Sequence, residues 1–108
     1  ISTADTDFLV KLKEAVRKNI DNSSFNVDML ASEVNMSRTS LNRKIRGTLN
    51  ISPNNYIRIE RLKMAATLLK EGRSKVNEVC YMVGFTSPSY FTKCFYQQFG
   101  LLPKDFNK

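Results

Sequence analysis

At 108 residues the chain can build one modest hydrophobic core, or two small helical units sharing a connector, and is too short for two independent domains of ordinary size. Seventeen Lys and Arg against ten Asp and Glu give a net charge of +7, which favours a polyanionic partner, nucleic acid first and an anionic membrane surface second. With no histidine, no CxxC spacing around Cys80 and Cys94, no glycine-rich phosphate loop and no carboxylate pair that stands out from surface acids, the sequence points away from an enzyme, a metal site or a cofactor.

The start ISTADTDF lacks the basic and apolar regions of a signal peptide, and no apolar run approaches the length that crosses a bilayer. A cytoplasmic protein with no membrane partner is expected. The first residue is not Met, which suits a piece of a larger protein.

Helical periodicity dominates, and the Gly and Pro residues fall between the periodic segments, so the fold class is all-α. A first helix carries Phe8, Leu9, Leu12, Val16 and Ile20 on one stripe, and the polar run Asp21–Asn26 ends it. A short second helix carries Val27, Leu30, Ala31 and Val34 and stops at Asn35, a residue type that tolerates the left-handed conformation. Ser37 caps a third helix with Leu41 and Ile45 inward, and GTLN (47–50) breaks its pattern. Ser52 and Pro53 then open the longest helix, about eighteen residues running to Gly72 and roughly 27 Å long at 1.5 Å per residue.

After Gly72 the pattern recurs. VDMLASEVNM aligns with VNEVCYMVGF 49 residues on, which pairs Val27, Leu30, Ala31 and Val34 with Val76, Val79, Cys80 and Val83, and Asn35 with Gly84. With one extra residue in the second turn, Leu41 then pairs with Phe91, Arg43 with Lys93, Ile45 with Phe95 and Pro53 with Pro103. Each copy is a short helix with a small residue at the middle of its inner face, a tight turn holding Asn or Gly, a serine cap and a second helix. Those are the requirements of a helix-turn-helix, in which two helices cross closely and the second protrudes.

The second helix of each copy divides by face. Phe91, Phe95 and Phe99 recur every four residues and point inward, opposite Ser89, Tyr90, Lys93 and Gln97. In the first copy Leu41 and Ile45 point inward, Thr39, Arg43 and Arg46 point away, and Asn42 lies on the flank. The outward residue types suit base edges: Arg43 and Lys93 can donate to guanine, Asn42 can pair with adenine, and Thr39 or Thr92 can meet a thymine methyl. From Ser37 to Thr48 there are four cations and no acid, so the first copy is expected to dominate the salt dependence of binding. Tyr90 and Tyr96 are each open between DNA contact and packing on the helix flank. An RNA-binding or protein-interaction module is the alternative reading. A membrane-surface helix is a weaker one, raised by Arg58, Arg61 and Lys63 beside an apolar stripe on the longest helix.

The stretches LASEVNMSRTSLNRKI (30–45), RLKMAATLL (61–69) and VNEVCYMVGFTSPSYFTKCFYQQFGLLPKDF (76–106) together resemble the DNA-binding domain of the AraC/XylS family of transcription regulators. Three features depart from that family: Asn35 stands where glycine is usual, Cys80 where alanine is common, and the ending KDFNK is not basic enough. The resemblance implies a single DNA-binding domain of two helix-turn-helix subdomains, 7–50 and 74–108, joined by a linker helix over 52–71, with about seven helices in all. It implies recognition helices near 38–46 and 88–99 in successive major-groove segments of double-stranded DNA. It adds Arg38, Pro88, Ser89 and Thr92 to the DNA-binding set of Thr39, Asn42, Arg43, Arg46, Tyr90 and Lys93. Ser37 and Ser87, with the free N–H groups of each helix start, are the expected phosphate holders, joined by Ser40 and Lys44. The wording MSRTSLNRKI and RLKMAATLL is also similar to the output domains of hybrid two-component regulators, which implies an upstream receiver or sensor domain, with RNA polymerase as a further candidate partner.

Overall fold

A computed structural model describes residues 2–106; Ile1, and the Asn107 and Lys108 that end the second expected subdomain, lie outside the described residues. Among the described residues there are six α-helices, one 3-10 turn and no strand: α1 (Thr3–Lys18), α2 (Val27–Glu33), α3 (Arg38–Leu49), α4 (Pro53–Glu71), α5 (Val76–Met82), α6 (Pro88–Phe99) and the turn Pro103–Asp105. The chain divides into two compact units. One is the chain up to Asn19 with Phe25–Glu60; the other is Ile20–Ser24 with the chain from Arg61 onward. The dividing point lies inside α4, so each unit takes part of the longest helix into its own core.

In the first unit α1 packs on α2 and α2 on α3. Phe8, Leu12, Ala15 and Val16 of α1, Val27, Leu30 and Ala31 of α2, Leu41 and Ile45 of α3, and Tyr56 and Ile57 of α4 are buried. An ion pair joins Arg17 Nε to Glu60 Oε1 at 3.4 Å, with Glu60 only 3% exposed. Beside it, burial first and the Glu60 carboxylate second push the Tyr56 hydroxyl pKa well above the ordinary tyrosine value, while Arg17 pulls it the other way.

The second unit has a core of Leu62, Ala65 and Leu69 from α4, Val79, Cys80 and Val83 from α5 and its turn, Phe85, and Phe91, Cys94 and Phe95 from α6, with Ile20, Phe99 and Phe106 packed against it. Phe85, Phe91 and Phe95 are its largest side chains. Phe95 has the rings of Phe91, Phe99 and Phe106 at 5.8, 4.7 and 5.2 Å between centroids, the first two tilted and the third edge-on. Both cysteines are buried, and burial pushes the Cys80 thiol pKa up, so it is a neutral packed group.

Two expectations are corrected and one is sharpened. Ile20 is not on the stripe of the first helix: α1 ends at Lys18, and Ile20 packs in the core of the second unit. GTLN stops the third helix only at its last residue: α3 continues through Gly47 to Leu49 and ends at Asn50, at φ 58°. A helical glycine costs only about 1 kcal/mol relative to alanine, which tertiary packing easily overrides, whereas a left-handed residue ends the ladder. Arg61 is not a surface cation of the linker: it is 7% exposed, and so it does not add charge to the face on which the membrane-surface reading depended.

Candidate nucleic-acid interface

Two helix-turn-helix turns are built in the same way. After α2, the N–H of Met36 donates to Ala31 O at 2.9 Å and that of Asn35 to Ser32 O at 3.1 Å; after α5, Phe85 donates to Cys80 O at 3.0 Å and Gly84 to Tyr81 O at 3.1 Å. Asn35 (φ 57°) and Gly84 (φ 86°) hold the same left-handed position. The repeat continues at the far ends of the second helices, where Asn50 (φ 58°) and Gly100 (φ 73°) close α3 and α6 in the same conformation. Ser37 and Ser87 cap the two helices, their Oγ atoms accepting from Ser40 N at 3.1 Å and Tyr90 N at 3.2 Å. Pro88 occupies the first helical position of α6, where a missing N–H is harmless.

On α3, Arg38, Thr39, Ser40, Arg43 and Arg46 are exposed, and Asn42 and Lys44 are half-buried. Several of these side chains are already engaged. Arg38 Nη1 lies 3.2 Å from Asp28 Oδ1 of α2, and Arg46 Nε donates to Asn42 Oδ1 at 3.0 Å, one helical turn back on the same face. Lys44 covers the opposite flank: its ammonium sits 4.8 Å from the centre of the Phe8 ring. Ser37 Oγ also donates to Ser40 Oγ at 3.0 Å, so the two hydroxyls form a pair at the helix start.

On α6, Ser87, Ser89, Tyr90 and Lys93 are exposed, and Pro88 and Thr92 are half-buried. Tyr90 is 50% exposed with its ring 6.1 Å from that of Phe85, and Tyr96 is 54% exposed. Lys93 is the one charged side chain of this helix. Thr39, Arg43 and Arg46 are exposed on one face of α3 with half-buried Asn42 at its flank and Arg38 in its first turn, and Ser89, Tyr90 and Lys93 are exposed on α6. The two faces differ in chemistry, the first rich in guanidinium and the second in hydroxyl and ring.

Sequence reasoning missed Asp28 and Arg61. Asp28 has the form of an ordinary first-turn helix acid, and only the fold sets it against Arg38. Arg61 resembles the other linker cations, but its guanidinium donates to the carbonyls of Ile20, Val83 and Asn22 at 2.6, 2.8 and 2.9 Å. Burial lowers its pKa from the ordinary value, and the three carbonyl dipoles offset that cost.

The protein-family description that matches this chain is a helix-turn-helix domain, over residues 30–108. The chain is 39% identical over 106 residues to the protein named histidine kinase P4 of Formosa agariphila, a match that takes in 98% of this chain and 8% of that one, so the chain spans less than a tenth of that relative's length. It superposes with a TM-score of 0.87 on a transcriptional regulator of Chromobacterium violaceum described as AraC-type DNA-binding domain-containing, at 23% identity over 98% of this chain and 94% of that one. It superposes with a TM-score of 0.75 on the DNA-binding domain of the global transcriptional factor AdpA, solved in complex with a target DNA, at 28% identity over 90% of this chain and 89% of that one.

Proposed function

The chain belongs to the AraC-type helix-turn-helix family, and from that premise we propose that it is the sequence-specific double-stranded-DNA-binding part of a transcription regulator. The observation that carries the reading is the duplicated helix-turn-helix: two turns with matching hydrogen bonds, each followed by a serine-capped helix whose exposed face carries no large apolar side chain apart from Tyr90 and Tyr96. A protruding helix of this kind suits a major groove, which is wide enough to admit it. AdpA, a similar domain, carries a target DNA in its solved complex, which supports the same class of ligand here.

On this reading Arg43, Asn42 and Thr39 read bases from α3, with Arg38 and Arg46 beside them, and Ser89, Tyr90, Thr92 and Lys93 do so from α6, which Pro88 starts. Ser37, Ser40, Lys44 and Ser87 hold phosphates. Four cations in α3 against one in α6 assign most of the counterion release, and hence of the salt dependence, to the first unit. The 19 residues of α4 span about 28 Å, a length compatible with two helices working one DNA turn apart.

The match to a kinase of more than ten times this length supports a place as the output segment of a larger signalling protein, with a sensor or receiver elsewhere in it. The phosphoacceptor that such a name implies would lie outside this segment, since the chain has no histidine. The segment itself acts by binding and is not an enzyme. No helix among the described residues is long and apolar enough to cross a membrane, which fits a DNA-binding role in the cytoplasm. RNA polymerase enters as a further partner through the family resemblance.

Competition binding tests the ligand class. A labelled genomic duplex retained by the protein should be displaced by specific duplex DNA at far lower concentration than by single-stranded DNA or by RNA of the same sequence. Equal displacement by RNA would overturn the reading in favour of an RNA-binding module.

A further inference from the structure

Arg61 is one of two charged side chains in the buried set, and unlike Glu60 it is surrounded by neutral partners: the backbone carbonyls of Ile20, Val83 and Asn22. Those carbonyls belong to two chain segments. Ile20 and Asn22 lie in the exit from α1, and Val83 is the first residue of the turn that leads into α6. An apolar side chain of similar volume would serve the core at least as well, since burying a cation costs desolvation that neutral dipoles only offset. What the guanidinium adds is direction. Its planar fork fixes acceptors on two segments in one plane and at set distances, which neither an apolar group nor an ammonium can do.

Gly84 fits this arrangement closely. A Cβ at that position would overlap the Arg61 guanidinium and would lie 2.6 Å from Ile20 O, so the turn can pass only as glycine. In the first unit the equivalent turn position is Asn35, a residue with a side chain in the same left-handed conformation, so that conformation by itself does not demand glycine; at Gly84 the Arg61 guanidinium and Ile20 O do.

We infer that Arg61 is a positioning residue for the second recognition helix, holding the Val83–Gly84 turn against the Ile20–Asn22 segment so that α6 starts at a fixed height and angle. The same guanidinium ties that start to the exit of α1, so a displacement of the chain at Ile20–Asn22 reaches α6 through one side chain. The inference rests on the reading that α6 enters a DNA groove.

Footprinting on a duplex carrying both selected half-sites tests it, with Arg61→Lys compared with the wild-type protein after far-UV circular dichroism has shown both to be helical. Wild-type protection of both half-sites upholds the DNA reading. Loss of the α6 half-site on the wild-type protein overturns that reading and this inference with it. Given wild-type protection, Arg61→Lys is expected to weaken the α6 half-site about tenfold, the scale of one lost base contact, and to leave the α3 half-site unchanged. Equal weakening of both half-sites, or of neither, overturns the inference while leaving the DNA reading in place. Gly84→Ala, whose Cβ displaces the guanidinium, should give the same confined loss, and the double variant should lose no more than either single one; additive losses would contradict a shared cause. If the variants fail to fold, the wild-type protein decides: the Arg61 guanidinium protons should exchange with solvent as slowly as the amides of the Val83–Gly84 turn and the start of α6, free and on a duplex with the α6 half-site alone, and fast exchange at Arg61 beside a protected α6 start overturns the inference.

Discussion

Arg38 Nη1 lies 3.2 Å from Asp28 Oδ1, an ion pair between the first turn of α2 and the first residue of α3, with about two thirds of each side chain in water. At that exposure the pair contributes little to stability, on the order of 0 to 1 kcal/mol. Its effect on binding is different, because the carboxylate occupies the guanidinium that DNA would contact. Asp28→Asn should leave the melting temperature within about 5 °C of the original, raise affinity for specific and random duplexes alike by roughly two- to fivefold at low salt, and steepen the salt dependence. Unchanged binding would show that Arg38 makes no contact with DNA.

Arg43 and Lys44 are neighbours with opposite surroundings. Arg43 is exposed, and Lys44 is half-buried over Phe8. Arg43→Ala should cost on the order of 1–3 kcal/mol of binding and relax preference at one base position. Lys44→Ala should weaken all duplexes alike and also lower stability by about 0.5–1 kcal/mol through the lost contact with the ring. Binding to specific and random duplexes, with urea unfolding in parallel, separates the two. Equal losses on both duplexes for Arg43→Ala would remove it as a base reader.

Phe95 is fully buried among Phe91, Phe99 and Phe106. Phe95→Ala should cost about 3–5 kcal/mol of stability and lose DNA binding only as the second unit unfolds. A variant that melts normally but no longer binds would contradict its place in the core.

Tyr56 gives the protein a specific alkaline weakness. Its folded pKa is raised, so its contribution to stability is complete below the ordinary tyrosine pKa near 10 and is lost as the pH rises above that value, where the unfolded chain ionises first. Chemical denaturation from pH 9 to 11 should show the wild-type protein losing stability faster than Tyr56→Phe, by at most about 1.4 kcal/mol per pH unit. Parallel curves would mean that the hydroxyl ionises as readily in the folded protein as in the unfolded one.

The inward residues of both recognition helices were legible from spacing alone. Leu41 and Ile45, or Phe91 and Phe95, fall one helical turn apart, and a stripe of that period has one stable use in a short helix. The left-handed turn positions were legible at Asn35 and at Gly84, because few other residue types tolerate them. Ile20 was misplaced for the opposite reason: it keeps the helical period of the residues before it, and periodicity does not reveal that the helix ends two residues earlier. The role of Arg61 was not legible at all. Its acceptors lie 41, 39 and 22 residues away in the chain and are backbone atoms, which leave no trace in the side-chain pattern. Asp28 illustrates the same limit, as its partner is set by how α2 meets α3.

The central claim, that α3 and α6 read double-stranded DNA together, is tested most directly by selecting bound sites from a pool of random duplexes. The account predicts enrichment of two half-motifs about one helical turn apart, roughly ten base pairs centre to centre, with Arg43→Ala degrading one half-motif and Lys93→Ala the other. A single short motif unaffected by Lys93→Ala, or no enrichment over the starting pool, would contradict it.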